Sequence, residues 1–259
     1  MLSFNKKNIL ILNLENEIGK SNRNFIKKDS FKDELNKILI YNEYKPLKGI
    51  LLNINSPGGS AGLSEELANN ILKIRSNGIP VVASVIDYAC SGAYLVASSC
   101  NKIFANRMSI VGSIGVIMQI PNFKSLAEKF GVTSYTIKSG TMKDIGNPLR
   151  DMTEEEKQYL ENIVKGSHDI FKKMVLKNRP KINDNFSLFE GQIFNAEDAK
   201  KYGLIDNIGN SYDALQYLLQ LANVTVDDIK IINSKKGTFI SNLLDSISFL
   251  PNLNISLKL

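Results

Sequence analysis

The stretch of sequence that decides the fold is residues 81–99, VVASVIDYACSGAYLVASS. It opens with an apolar run, Val81 to Ile86, and closes with a helix-like stretch, Tyr94 to Ser99. The small residues Ala89 to Ala93 join the two. This pattern predicts a strand that turns abruptly into a helix, and such a turn would lift the side chain of Ser91 out of the packed interior.

Ser91 is therefore a candidate nucleophile, but a serine hydroxyl attacks only when a neighbouring base takes its proton. The single histidine, His168, lies inside a later helix, where a partly buried structural role is the better interpretation. The sequence offers a lysine instead, Lys143, in the stretch 138–148, KSGTMKDIGNP. A lysine is a base only when neutral, which burial favours and the adjacent carboxylate of Asp144 opposes.

A second turn precedes the serine. Residues 55–60, NSPGGS, follow the apolar run Gly49 to Ile54 and precede a helical pattern. Glycine allows close approach of the backbone to a ligand, and in a parallel sheet both turns lie at the carboxyl ends of strands. The N–H groups of Gly59 and Gly92 are thus predicted to converge on one oxygen, which is the geometry of an oxyanion hole.

Segments with the apolar pattern of a strand alternate along the chain with segments that have the apolar spacing of a helix. Strands are predicted at 8–14, 49–54, 81–86, 102–104, 116–120 and 134–137, and helices at 31–44, 62–76, 91–99, 123–130, 153–177 and 212–222. Between the last two helices, a short strand, a helix capped by Asn195 and a return strand are expected. The alternation predicts an α/β fold, a parallel-strand-rich sheet with flanking helices and a helical C-terminal portion.

No linker or repeat divides the sequence, so a single domain, 1–259, is expected, with its core at about 8–222. The extension, 223–259, contains apolar residues at helical spacing from Phe239 onward. Because the extension lacks the basic face that interfacial helices usually carry, packing against the same subunit or a sister subunit is favoured over a helix on a membrane surface.

The composition of the chain indicates which binding partners are expected. The chain has 259 residues, 43% apolar and 22% charged, as in ordinary soluble proteins. Its net charge of +6 is spread evenly, without interleaved aromatic residues, which argues against nucleic acid; weak attraction to an anionic membrane surface stays open. No cofactor or metal motif is present, and Cys90 and Cys100 are expected as buried hydrophobic residues. The sequence predicts no membrane span or signal peptide, hence a cytoplasmic or peripherally membrane-associated protein.

Five blocks, taken in order, resemble peptidase family S49, the signal peptide peptidase A family. They are Asn55 to Gly59, Ser91 to Tyr94, Gly112 to Val116, a block made of Lys138 to Asp144 and Thr153 to Glu156, and Ala199 to Asp206. The resemblance implies a ClpP/crotonase-type fold and a serine–lysine dyad, with Ser91 as nucleophile and Lys143 as general base. It further implies that Ser113 holds the lysine amine and that Gly59 and Gly92 donate to the oxyanion.

The resemblance also implies partners. Family members form homo-oligomeric rings or domes in which neighbouring subunits help to build the active sites. They cut signal peptides and other unfolded peptides bound as extended strands, without a cofactor. Two departures are the missing N-terminal anchor and Ala93, where many members have glycine.

Three alternatives compete with this interpretation. A ClpP-like serine–histidine–aspartate peptidase would need a histidine near residues 116–118, and none is there. A crotonase-like acyl-CoA enzyme would leave the Ser91 and Lys143 blocks unexplained. A non-catalytic peptide-binding scaffold would have no reason to keep both residues.

Overall fold

The computed structural model describes residues 6–19, 30–41, 47–182 and 186–233. Within them, the strands are β1 (Lys7–Glu15), β2 (Leu47–Ser56), β3 (Val81–Cys90), β4 (Lys102–Ala105), β5 (Ile110–Gly112), β6 (Ile193–Asn195), β7 (Asn207–Ile208) and β8 (Ile229–Asn233). The α-helices are α1 (Ser30–Asn36), α2 (Ala61–Ser76), α3 (Gly92–Ser98), α4 (Lys124–Lys129), α5 (Glu154–Asn178), α6 (Ala196–Lys201) and α7 (Ser211–Leu221).

The strands form one mixed sheet in the order β6-β5-β3-β2-β1-β8, and β4 joins β3 to β7. All recorded pairs between these strands are parallel except β5 with β6. Strand β3 shows why the central runs are apolar throughout: Val81 and Ala83 pack in the cluster that contains Leu67 of α2, whereas Val82 packs with Leu218 of α7. Helices cover both faces, which confirms the predicted α/β fold class.

Two predicted strands are wrong. Residues 116–120 and 134–137 form no strand. The short β5 pairs with β3 instead, and β6 closes that edge of the sheet. The run that begins at Val116 thus has no paired strand among the described residues, and Ile117 is 77% exposed. Apolar β-branched residues indicate a surface suited to a sheet, but a strand also needs a partner.

Other boundaries differ by smaller amounts. Strand β3 continues to Cys90, beyond its predicted end at Ile86, so it reaches the serine turn directly. The helix predicted at 31–44 is α-helical only to Asn36 and continues as π-helix over Lys37–Tyr41. Strand β8 was not predicted, and the expected apolar helix from Phe239 onward lies outside the described residues.

Helix α5 begins as its sequence predicts. The Thr153 hydroxyl accepts a hydrogen bond from the N–H of Glu156, and the Glu156 carboxylate accepts one from the N–H of Thr153. This capping box satisfies N–H groups that the first helical turn leaves without partners. Among the described residues, none of the helices combines the length and apolar character that crossing a bilayer requires.

Candidate active site

Ser91 occupies the predicted turn between β3 and α3. Its φ of 51° and ψ of −125° are unusual for a residue with a side chain, and such a conformation costs about 1–3 kcal/mol. The Ser91 N–H is held by the Gly112 carbonyl oxygen at 2.8 Å. Although Ser91 is the N-cap residue of α3, its side chain makes no capping hydrogen bond. The hydroxyl is therefore available for another role.

The two-glycine turn lies directly against this serine turn. Gly58 and Gly59 have φ of 96° and 147°. A Cβ on Gly58 would stand 2.7 Å from the Cys90 carbonyl oxygen and 2.8 Å from the Gly92 nitrogen. Only a residue without a side chain allows the backbones to approach this closely.

Gly59 and Gly92 are close neighbours, as the oxyanion-hole prediction requires. The position that a Cβ would take on Gly92 is 3.7 Å from the Gly59 nitrogen. The Gly92 N–H belongs to the first turn of α3, where the helix itself offers no acceptor. Convergence of the two N–H groups on a substrate oxygen stays a prediction.

Gly59→Ala should damage both fold and site. A Cβ there would meet the Ile18 carbonyl oxygen at 2.2 Å, and this is backbone that cannot rotate away. We expect the unfolding midpoint to fall by at least about 3 °C, because the strained φ alone costs about 1–3 kcal/mol. The control is Gly62→Ala in α2, where a Cβ meets nothing within 4 Å. Equal midpoints for the two variants in a thermal melt would contradict this account.

Ser113 lies beside the serine turn, whereas Lys143 makes no hydrogen bond to that turn. Ser113, with φ of 51°, follows Gly112, and its N–H donates to the Gln192 carbonyl oxygen at 2.6 Å. Lys143 belongs to a short 3-10 turn, Thr141–Asp144, and is exposed. Within the described part of the chain, its amine has no recorded hydrogen bond or ion pair. The structure thus groups Ser91, both glycines and Ser113, but joins Lys143 to them by no hydrogen bond.

The carboxylate next to Lys143 is already engaged. Asp144 accepts hydrogen bonds from Arg150 and Lys138, which hold the pKa of its carboxyl well below the usual range. Arg150 also binds Glu156. Sequence reasoning missed Arg150, because nothing in the spacing indicates that one guanidinium joins two carboxylates.

Glu156→Gln should lower stability in a way that depends on pH. Hydrogen bonds from Arg150 and from the Thr153 backbone lower the pKa of Glu156 from 4.5 to about 2. The stabilisation is therefore complete above about pH 4.5 and is lost as the pH falls towards 2. We expect the wild-type unfolding midpoint to exceed that of Glu156→Gln near neutral pH, and the gap to close in acid. The exposed Glu155→Gln is the control, and a gap that does not vary with pH would contradict the assignment.

A cleft lies along α5. It has a volume of about 670 Å³ and is lined by residues 115–118, Ile120, one side of α5 and Phe189, without Ser91 or Lys143. His168 lines it, and its Nε2 is buried without a hydrogen-bond partner. Cys90 and Cys100 are free thiols; Cys100 is buried as predicted, whereas Cys90 is only partly buried.

The sequence of this chain is similar to the sequences of several known proteins. A protein of Methanocaldococcus jannaschii, named as a candidate protease, is 44% identical over 196 residues, which are 74% of this chain and 63% of the relative. A protein of Enterococcus faecium, named as a candidate signal peptide peptidase SppA, is 38% identical over 210 residues, 81% of this chain and 60% of the relative. The chain thus matches somewhat under two thirds of the length of these two relatives.

A mutant ClpP1 from Listeria monocytogenes has the same fold. Its TM-score is 0.50 at 12% sequence identity, over 79% of this chain and 94% of the ClpP1 chain. The predicted ClpP-type fold is therefore confirmed. The family model of peptidase family S49 matches residues 73–225, which contain the serine turn, Ser113 and Lys143. This chain belongs to peptidase family S49.

Proposed function

We propose that this chain is a serine endopeptidase in which Ser91 is the nucleophile and Lys143 its general base. The observation that carries the proposal is the strained serine turn. Ser91 keeps a positive φ and an uncapped hydroxyl at the carboxyl end of a central strand, packed against the turn that contains Gly59. Such strain persists where the surrounding structure enforces it, which is common at active sites.

The proposed reaction has two stages. Ser91 Oγ bonds to the substrate carbonyl carbon while its proton moves to Lys143 Nζ. The N–H groups of Gly59 and Gly92 stabilise the resulting oxyanion. Collapse of this intermediate breaks the peptide bond, and the leaving amine takes the proton from Lys143. A water molecule, deprotonated by the same lysine, then attacks the acyl carbon. The ester bond to Ser91 breaks, the acid product leaves, and Ser91 Oγ takes the proton from Lys143. Ser113 would accept a hydrogen bond from the lysine amine and hold it in place.

The proposed substrates are unfolded peptides, including signal peptides, bound in an extended conformation. Support comes from the name of the Enterococcus relative and from the chain between Ile114 and Phe123, which has no regular secondary structure of its own. Such a backbone can pair with an added strand, and apolar side chains around it can receive alternate substrate side chains.

Self-association is part of the proposal. The region between β5 and α5 carries many exposed apolar side chains: Ile117, Met118, Phe123, Leu126, Phe130, Val132, Tyr135 and Ile137. A soluble monomer rarely exposes so many of them in one region. We propose that a second copy covers them and that the assembled homo-oligomer brings Lys143 to a serine. Burial in such an interface would also desolvate the amine, which favours the neutral base.

A cleavage assay tests the proposed endopeptidase activity. The chain is purified, and its largest oligomeric fraction is assayed. We expect it to cleave a denatured polypeptide and a signal-peptide-like peptide. We expect no cleavage of the first polypeptide in its folded state. Acyl-CoA hydrolysis is measured in parallel. Thioester hydrolysis without peptide cleavage would favour a crotonase-like enzyme. Binding of the peptide without hydrolysis of either substrate would favour a scaffold.

A further inference from the structure

An ion-pair cluster ties the segment of Lys143 to the start of α5. Arg150 is its centre, and we call the group of Lys138, Asp144, Arg150 and Glu156 the Arg150 clamp. The guanidinium donates to Asp144 from Nε (2.8 Å) and Nη2 (3.0 Å). It donates to Glu156 from Nη1 (2.8 Å) and, over a shorter distance, from Nη2. Nη2 also reaches the Asp144 carbonyl oxygen at 3.1 Å, so the contact fixes backbone as well as side chain.

The far end of the clamp is rigid. The Glu156 side chain is 5% exposed, and the carboxylate oxygen that Arg150 Nη1 contacts also accepts the N–H of Thr153 at 2.9 Å. Glu156 is therefore part of the capping box that begins α5. Bidentate arginine–carboxylate contacts have a defined geometry, which a lysine does not reproduce. The clamp accordingly fixes the 3-10 turn of Lys143 relative to α5.

The clamp also balances charge. The two positive and two negative charges of the clamp sum to zero. The negative charge of Asp144, which is adjacent to Lys143 in the sequence, is therefore offset. Without Arg150, that carboxylate would retain only Lys138 and would favour the protonated form of a nearby amine. Further ion pairs form in the segment before α5 and on α5 itself: Asp151 with Lys124 at 2.6 Å, and Lys157 with Glu154 and Glu161 at 3.9 and 4.0 Å.

We infer that Arg150 is a positioning residue for the lysine base: it holds the turn of Lys143 against α5 and neutralises the adjacent carboxylate of Asp144. This inference rests on the proposed function, because it assigns a role to Arg150 through Lys143. Arg150 itself does not contact the reacting atoms.

Arg150→Met should separate positioning from binding. We expect kcat to fall at least about tenfold with KM changed less than about twofold, since small misplacements of a catalytic group reduce rates strongly. We also expect the alkaline rise of kcat to move to higher pH by about half a unit or more, because Asp144 is then less neutralised. Adding Asp144→Asn to this variant should return the pH profile to its wild-type position without restoring kcat.

Three further variants serve as controls for Arg150→Met. Arg150→Met combined with Glu156→Gln keeps the α5 cap, since glutamine serves in a capping box, and leaves no buried unpaired carboxylate. Arg150→Lys should recover part of the pH profile but little of kcat. Lys124→Met, which removes an exposed ion pair from the same region, should leave kcat unchanged.

The outcomes distinguish this inference from the proposed function. If Lys143→Met is inactive while Arg150→Met keeps wild-type kcat and pH profile, the role of Arg150 is wrong and the dyad stands. If Lys143→Met remains fully active, the dyad itself is wrong. A loss of kcat in Arg150→Met with no displacement of the pH profile, and no response to Asp144→Asn, would overturn the electrostatic part of the role.

Discussion

Ser91→Ala should lower kcat/KM for an unstructured peptide by at least about 10⁴-fold, because loss of the nucleophile in a serine peptidase removes most of the chemical catalysis. Substrate binding should persist, since the substitution leaves the proposed oxyanion hole and the proposed peptide-binding backbone unchanged. The measurement is steady-state cleavage by purified oligomer, together with binding of an intact peptide by fluorescence anisotropy.

The matched control is Ser76→Ala, at the end of α2, where the hydroxyl bonds only to the carbonyl oxygen of its own helix. We expect that variant to retain wild-type activity. The unfolding midpoint of Ser91→Ala should stay close to that of the wild type, because alanine meets the same positive φ as serine. Substantial cleavage by a folded Ser91→Ala would show that another residue attacks the substrate.

Lys143→Met should lower kcat about 10²- to 10⁴-fold, the usual contribution of a general base. Arginine at this position should not rescue the rate, because a guanidinium stays protonated at any working pH. In the wild type, the rate should rise with pH as the base loses its proton, and this rise should be absent in Lys143→Met. Lys129→Met, at the end of α4 and exposed, is the control.

A different pH profile would point away from lysine. A rise governed by one group near pH 6.5 that disappears in His168→Ala would assign the base to histidine. The structure already gives His168 another environment, since it lines the cleft beside α5 and that cleft does not include Ser91.

The sheet could be predicted from the sequence because its central strands are buried on both faces. A strand such as β3 must then be apolar at nearly every position, and this pattern is local. The strands predicted at 116–120 and 134–137 have similar local patterns, but they find no partner among the described residues. Pairing depends on what lies beside a segment in three dimensions, and a local pattern does not contain that information.

The sequence predicts that Ser91, Gly59, Gly92 and Ser113 lie together, but it does not predict where Lys143 lies relative to them. Ser91 and Gly59 follow adjacent parallel strands, so topology alone brings them together. Lys143 follows a long stretch without regular strands, and we propose that assembly brings it to a serine, which a single sequence does not specify. The contacts of Arg150 depend on how the 3-10 turn and α5 meet, which only the folded chain reveals.

The most direct test of the central claim is to trap the acyl-enzyme. A peptide p-nitrophenyl ester is mixed with the wild-type oligomer, quenched in acid and mapped by tandem mass spectrometry. We predict one acyl group, on Ser91, formed with release of p-nitrophenolate, and formed at least about 100-fold more slowly in Lys143→Met. An acyl group on another residue, or acylation of Ser91 at the wild-type rate in Lys143→Met, would contradict the account.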